Sequence, residues 1–368
     1  MSIFKLNIRT IYLMMGDGCN LACRYCIQGK NQKRTENLPT KINPSIYNFI
    51  RSIAYDNNNS RLNLLFYGGE PLLYWNNIKD IIEKTRSLKI HYSIITNGKL
   101  ITEEIIDFFN KNNVNLIISW DGNRSINTRK FDVFSDQNKK ELIFKSNNFS
   151  INSVISAMNY PLEAVNDIQD LANEYYNYNS NGFFSVNFDE IIDNNLVDKT
   201  LLKMDYNRVQ IETEQIINDC SNYLLNRNSI NNEDYKTKLL VKYSFLSRYL
   251  WTISEYLKNP NNFIFISPCR DGLERLGLDL NGNIYSCHDS REIIGNINNL
   301  DLITYLSNYL KYDTSKELYN SLCKDCKYWP LCLGRCKLLT KEARINHTCK
   351  LKKAIGEPLL NFLNKNKK

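Results

Sequence analysis

The sequence contains no run of about 18 apolar residues, the length that a membrane-spanning helix needs. Near its start stand Lys5, Arg9 and an apolar run from Ile11 to Met15, shorter than a signal-peptide core, and no small-residue cleavage site follows. These absences place the chain in the cytoplasm, away from any membrane. Histidine is scarce, with only His91, His288 and His347, which argues against His-rich zinc or iron sites. Basic residues never form a run of five or six. The excess of Lys and Arg over Asp and Glu, 47 − 39 = 8, is therefore dispersed and marks no nucleic-acid surface. Asparagine is the excess: 53 residues, in short runs such as Asn57 to Asn59, read as loop enrichment. Hydrophobic residues make up 43% and aromatics 12% of 368 residues, enough for a large core and too many for a disordered chain. The length suits one large α/β domain with a smaller appendage.

Cysteine is what the sequence does have. Disulfides are rare in the cytoplasm, so 11 cysteines imply metal or redox chemistry. Cys19, Cys23 and Cys26 lie at the start, and Cys269, Cys287, Cys323, Cys326, Cys332, Cys336 and Cys349 lie in the last hundred residues. Cys220 stands alone, on a helical face with Ile216, Ile217 and Leu224, and reads as a buried apolar thiol. Two metal-binding regions thus flank a cysteine-poor body. The division expected is a catalytic domain over 1–200, a helical bridge over 201–260 and a cysteine-rich domain over 261–368.

The body alternates strand and helix. Apolar runs that fit buried parallel strands are Ile11–Met15, Leu62–Tyr67, His91–Thr96, Val114–Trp120, Ile151–Met158 and Phe183–Phe188. Asn43 caps a helix with Pro44 at its first position. Ile78, Ile81 and Ile82 mark another helix, and Leu162, Val165, Ile168, Leu171 and Tyr175 a further one. Six such units predict an α/β fold, a partial or full β/α barrel or a doubly wound sheet. The barrel is favoured because the informative residues all follow strands: Gly16–Cys26, Gly68–Pro71, Asn97–Gly98 and Asp121–Gly122. In the bridge, Leu239, Tyr243, Leu246, Leu250, Ile253 and Leu257 form a core-facing stripe.

The first cysteines read C-x3-C-x2-C on a loop after a strand. Three thiolates can hold three irons of a [4Fe–4S] cluster and leave the fourth iron open. A zinc site short of one ligand, or three buried thiols, are the alternatives. With Tyr25 before Cys26, then Gly68-Gly69-Glu70-Pro71, Thr96-Asn97-Gly98 and Ser119-Trp120-Asp121-Gly122 in order, the chain resembles the radical S-adenosylmethionine (radical SAM) family. The resemblance implies a cluster on Cys19, Cys23 and Cys26 whose open iron takes the methionine part of S-adenosylmethionine. One electron then cleaves the sulfonium and yields a 5′-deoxyadenosyl radical. It also assigns roles. Gly68 and Gly69 admit a close backbone approach, and Glu70, with Pro71 behind it, accepts from the SAM ammonium. Asn97 lies in the cofactor site, Ser119 bonds the ribose or carboxylate, Arg129 clamps the carboxylate, and Tyr25 meets the adenine. Asp17 and Arg24 equally suit solvated loop charges.

In the C-terminal region, Asn281-Gly282 marks a hairpin between Cys269 and Cys287. Then follow Cys323-x2-Cys326-x5-Cys332-x3-Cys336 and Cys349. Seven thiols so spaced resemble the SPASM domain of radical SAM enzymes that modify peptides and proteins. By that resemblance Cys323, Cys326, Cys332 and Cys349 hold an outer auxiliary cluster, and Cys269, Cys287 and Cys336 an inner one. Structural zinc is the competing reading. Relatives carry one more Cys before Cys269, and Asn262–Pro268 has none. This leaves an open iron on the inner cluster, unless a distant residue such as Cys220 completes it.

The function expected is a radical SAM/SPASM enzyme with three [4Fe–4S] clusters and SAM that modifies a ribosomally made peptide. Three clusters would cancel roughly four of the eight excess positive charges. A flavodoxin- or ferredoxin-type donor supplies electrons. The first barrel strand is expected within about ten residues, which leaves no room for a leader-binding module, so the barrel rim, the Asn207–Leu257 helices or a separate protein would recognise the peptide. The alternatives are a formylglycine-forming maturase like the anaerobic sulfatase-maturating enzymes, a small-molecule dehydrogenase of SPASM type, and a non-enzymatic metal protein. In the sulfatase-maturating relatives a carboxylate base directly follows the hairpin Cys. Here His288 stands there and Asp289 next, so both are candidate catalytic residues.

Overall fold

The computed structural model describes residues 7–28, 41–56, 61–194, 196–225, 231, 233, 235–258, 271–290, 292–312, 319–334, 336 and 339–366. Six parallel strands follow one another: β1 (Thr10–Met14), β2 (Leu62–Tyr67), β3 (Ile90–Thr96), β4 (Asn115–Ser119), β5 (Asn148–Ile155) and β6 (Phe183–Glu190). Helices α1 (Ser45–Asp56), α2 (Trp75–Thr85), α3 (Glu103–Lys111), the short α4 (Ser125–Thr128), α5 (Gln137–Phe144) and α6 (Pro161–Tyr178) connect them. The sheet order β6-β5-β4-β3-β2-β1 leaves β6 and β1 unpaired with each other, so the barrel is partial. The expected strands agree with those observed to within a few residues.

Burial explains the elements. In β2, Leu62, Leu64 and Phe66 are wholly buried, and Ile78, Ile81 and Ile82 of α2 are equally buried on that sheet. Helix α1 starts at Ser45, whose N–H is capped by the Asn43 side chain at 3.0 Å. The Asn43 amide also donates to the carbonyl of Asn281 at 3.0 Å, so the first helix grips the predicted hairpin turn.

That hairpin does not stand apart. Strands β7 (Arg275–Asp279), β8 (Asn283–Tyr285) and β9 (Ile293–Asn296) extend the barrel sheet beyond β1. Strand β7 runs parallel to β1, with Thr10 opposite Arg275 and Met14 opposite Asp279. Strand β8 then returns antiparallel, Gly277 opposite Tyr285. Residues of β1, β7 and the helices α7 (Tyr206–Leu225), α8 (Leu240–Lys258), α9 (Leu302–Tyr312) and α10 (Cys349–Lys365) share one buried cluster. The expected boundary at residues 260 and 261 falls outside the described residues.

The bridge stripe is buried at Leu246 and Ile253 but ends early. Leu257 is 71% exposed, because it lies in the last turn of α8, past the packed surface. Cys220 of α7 is fully buried in the apolar cluster, as its neighbours in sequence imply, and burial pushes its thiol up to about 12. Among the described residues no helix is long and apolar enough to cross a membrane.

Candidate active site

The loops after β1, β2, β3 and β4 meet at one end of the sheet, and backbone pairing locks the first two together. Gly69 N–H bonds the carbonyl of Gly16 at 2.9 Å, and Glu70 N–H that of Gly18 at 2.7 Å. A Cβ on Gly68, where φ is +143°, would come within 2.5 Å of the Gly16 oxygen, and one on Gly69 within 2.2 Å of the Gly18 oxygen. These two glycines are there so that the strand-end backbone can lie directly against the cysteine loop. Asn97 adds a further tie, its amide bonding the Asn20 side chain at 2.8 Å.

Glu70 is 1% exposed, and its carboxylate accepts from three donors. These are Leu72 N–H at 3.0 Å, Thr96 Oγ1 at 2.7 Å and Asn97 N–H at 2.8 Å. Burial raises its pKa against those bonds. The side chain therefore caps the turn Pro71–Tyr74 and staples the end of β3 to β2, a role that the sequence did not reveal.

Cys19, Cys23 and Cys26 are half-buried, not sealed into the core. Their thiols bear on one another, and burial pushes Cys23 up to about 12 although Arg129 opposes it. Cys23 Sγ lies 3.8 Å from the Arg129 carbonyl. A three-thiol loop held by backbone in a cradle with no room for a Cβ fits a cluster-binding loop.

Asp121, wholly buried, is the hub beside it. Its carboxylate accepts from the Tyr25 hydroxyl at 2.5 Å, Thr128 Oγ1 at 2.7 Å, Val154 N–H at 2.9 Å and Arg129 Nη2 at 3.1 Å. The Arg129 guanidinium lies over the Tyr25 ring at 5.1 Å. Burial works against its charge, but Asp121, Tyr25 and Cys23 together outweigh burial and the pKa is raised. The structure thus brings Tyr25 and Arg129 together at Cys23, and both already hold Asp121. Ser119 ends β4, half-buried, two residues before the hub.

Arg24 is no solvated charge. Its fork holds Asp198 through Nε at 2.9 Å and Nη2 at 2.7 Å, and Nη2 also reaches Thr200 Oγ1 at 2.9 Å. Backbone bonds from Arg24 N–H to the Thr128 carbonyl and from Asp198 N–H to the Arg24 carbonyl complete the clasp.

On the β1–β2 side, His288 Nε2 faces the Asp289 carboxylate at 3.2 Å. The imidazole stacks on Tyr12 at 4.0 Å and meets the edge of Tyr67 at 4.9 Å. The Tyr67 hydroxyl donates to Asp289 at 2.9 Å, and the thiols of both Cys26 and Cys287 bear on it. Burial alone would lower His288 and raise Asp289. Their mutual attraction reverses both, so His288 is raised and Asp289 lowered. The sequence offered no signal for Tyr12 or Tyr67 beyond their strands.

Farther along the chain, the thiols of Cys332, Cys349 and Cys326 all bear on Cys323, which burial pushes up to about 12. These are the four residues expected to act as one set. Leu333 and Gly334, with φ +48° and +72°, turn the chain between Cys332 and Cys336. Buried Arg344 bridges that turn, donating to the carbonyls of Gly334 and Cys336, the latter at 2.6 Å. Cys287 is buried at the end of the hairpin. Cys269 lies outside the described residues. Asp271, which the sequence reading passed over, has a carboxylate oxygen within 4.8 Å of ligating atoms of Cys287 and His288.

Residues 13–130 match the model of the radical SAM superfamily. The radical SAM cyclopropyl synthase TigE of Paramaledivibacter caminithermalis is 27% identical over 362 residues, 90% of this chain and 68% of that protein. A cysteine-type anaerobic sulfatase-maturating enzyme of Clostridium novyi is 27% identical over 353 residues, 87% of this chain and 85% of that one. Among solved structures, native anSMEcpe with bound AdoMet and Cp18Cys peptide shares the fold. Its TM-score is 0.64 at 20% identity, covering 97% of this chain and 98% of that chain.

Proposed function

We propose that this chain, a radical SAM enzyme by its domain over residues 13–130, modifies a ribosomally made peptide and carries two auxiliary iron–sulfur sites of SPASM type. The observation that carries the reading is the position of Tyr67. Its hydroxyl donates to Asp289 at 2.9 Å, and the thiols of Cys26 on the first loop and Cys287 on the hairpin both bear on it. The radical-generating loop, the hairpin thiol and an acid–base pair thus come together around one side chain. The peptide-bound structural neighbour and the relative named as a sulfatase-maturating enzyme support a peptide or protein substrate.

Cys19, Cys23 and Cys26 would hold the [4Fe–4S] cluster that binds SAM. Cys323, Cys326, Cys332 and Cys349 would hold the outer auxiliary cluster, and Cys269, Cys287 and Cys336 the inner one. When bound, the first cluster and SAM supply one-electron chemistry and a carbon-centred radical. The chain's own residues position it. Gly68 and Gly69 bring the β2 backbone against the cysteine loop, Arg129 presents a charged guanidinium fork, and Asp121 sets its direction. His288, oriented by Asp289 and Tyr12, takes a proton from the substrate.

A second reading is favoured by the same pair. A carboxylate beside the hairpin cysteine is what a formylglycine-forming maturase needs, and Asp289 lies one residue beyond that position. The test is anaerobic reconstitution and incubation with SAM, reductant and two peptides. One is a precursor encoded beside this gene, and the other carries a sulfatase-type Cys or Ser. A crosslink mass change on the precursor supports the first reading, and aldehyde formation on the other supports the second. Roughly twelve irons are expected, four per site. The triple change of Cys19, Cys23 and Cys26 to Ala removes a third of them and abolishes SAM cleavage. Retained cleavage sinks the assignment.

A further inference from the structure

Relatives of the kind that the chain resembles have a thiol before Cys269 that is missing here, yet the region is not short of ligating groups. A carboxylate oxygen of Asp271, the Cys287 sulfur and a ring nitrogen of His288 all lie within 4.8 Å of one another. Asp271 is 3% exposed and Cys287 6%. A carboxylate oxygen, a thiol and a ring nitrogen drawn this close make a donor set that suits a metal ion.

We propose that Asp271 is an iron ligand beside Cys287, its carboxylate taking the position that no thiol fills. This deepens the proposed function, since it rests on Cys287 belonging to the inner auxiliary site. The fold holds Asp271 there rigidly. Gly272, with φ +87°, donates its N–H to the Arg275 carbonyl at 2.7 Å, and its own carbonyl accepts from the Tyr305 hydroxyl. A Cβ on Gly272 would meet Tyr309 at 2.4 Å, so the turn is closed against that ring. Pairing of Gly277 with Tyr285 then carries Cys287 back alongside the start of β7.

His288 is turned to a different task. Its Nε2 faces Asp289 and its ring is stacked on Tyr12, which directs Nδ1 at the Cys287 sulfur from 3.9 Å. It orients the thiolate, and Asp271 supplies the anionic oxygen. Oxygen ligands are competent for iron, and a carboxylate leaves the site's charge as a fourth thiolate would. A non-thiolate ligand also shifts the reduction potential, as histidine does in place of cysteine in Rieske centres. The inner site is then closed at rest, and a substrate thiol enters only by displacing a carboxylate.

The test uses the full chain, reconstituted anaerobically, with Cys19, Cys23 and Cys26 changed to Ala so that only auxiliary signals remain. EPR spectra of the reduced protein are recorded with and without 2-mercaptoethanol. The expected result is that the thiol leaves the Asp271 protein unchanged and shifts the g values of Asp271→Ala. A thiol-induced shift already present with Asp271 in place means the iron is open and overturns the proposal. So does an Asp271→Ala spectrum identical to its parent's. Should Asp271→Ala lose its fold, Asp271→Cys keeps the full iron content with a shifted midpoint potential, and an unchanged potential overturns the idea. If Cys287→Ala leaves iron content and spectra untouched, the auxiliary-site reading itself fails, not only the role of Asp271.

Discussion

Arg24 and Asp198 stand 174 positions apart in the chain, and their charged groups lie 2.7 Å apart. Arg24 sits inside the cysteine loop, between Cys23 and Cys26, so this pair ties the loop to the segment that follows β6. Thr200 first and Arg24 next hold the Asp198 carboxyl down to about 2, so it is ionised under all ordinary conditions.

Removing that clasp should loosen the loop more than the whole protein. The two side chains are 19% and 29% exposed, so Arg24→Ala costs the fold about 1 kcal/mol or less. SAM affinity of the reconstituted protein should fall about tenfold, the size of one charge-assisted hydrogen bond. Arg24→Lys restores only part, because an ammonium lacks the fork. Wild-type affinity in Arg24→Ala, measured by equilibrium titration, would show that the loop needs no clasp.

Asp121→Asn should be far more damaging. It leaves the buried Arg129 guanidinium without its anion, a loss of about 3–5 kcal/mol. Tyr25→Phe removes one charge-assisted hydrogen bond to the same carboxylate and should cost about 1.5–3 kcal/mol. Denaturant unfolding of the two variants compares them directly. Equal losses mean that Asp121 is not the hub.

The His288–Asp289 pair makes a pH prediction. Asp289 raises His288 above its ordinary 6.5, and His288 lowers Asp289 below its ordinary 3.8. The stability due to His288 is complete below pH 6.5 and fades as pH rises through its raised value. That due to Asp289 is complete above pH 3.8 and fades as pH falls through its lowered value. As a base, His288 must first lose its proton, so the rate should climb with a limb above pH 6.5. In Asp289→Asn the limb moves to lower pH. A limb that stays in place assigns it to another group.

Lys352 is 1% exposed and pairs with Glu190 at the end of β6, beneath the Tyr249 ring at 4.5 Å. The Tyr249 hydroxyl donates to the same carboxylate at 2.7 Å. Lys352→Ala should destabilise the protein by about 3–5 kcal/mol through the stranded carboxylate. Lys352→Met together with Glu190→Gln should recover most of that. A melt of the double variant no better than the single one would mean that packing, not charge, holds α10 to the barrel.

Local order was legible in the sequence because local physics sets it. An apolar run placed Leu62–Tyr67, helical periodicity placed Ile78–Ile82, the Asn281-Gly282 dipeptide placed the turn, and cysteine spacing marked both thiol regions. Cys220 was recognisable as a core thiol from its helical neighbours alone. Only the tertiary structure decided what those pieces do to one another. It decided that β7 pairs with β1, so that the hairpin becomes part of the barrel sheet. It decided that the Glu70 carboxylate staples backbone, that Arg24 clasps Asp198, and that Asp271 comes beside Cys287. Each of these is a contact between residues far apart in the chain or across a turn. It is set by which edge of a sheet remains open and which buried charge needs a partner, and residue spacing carries no record of either.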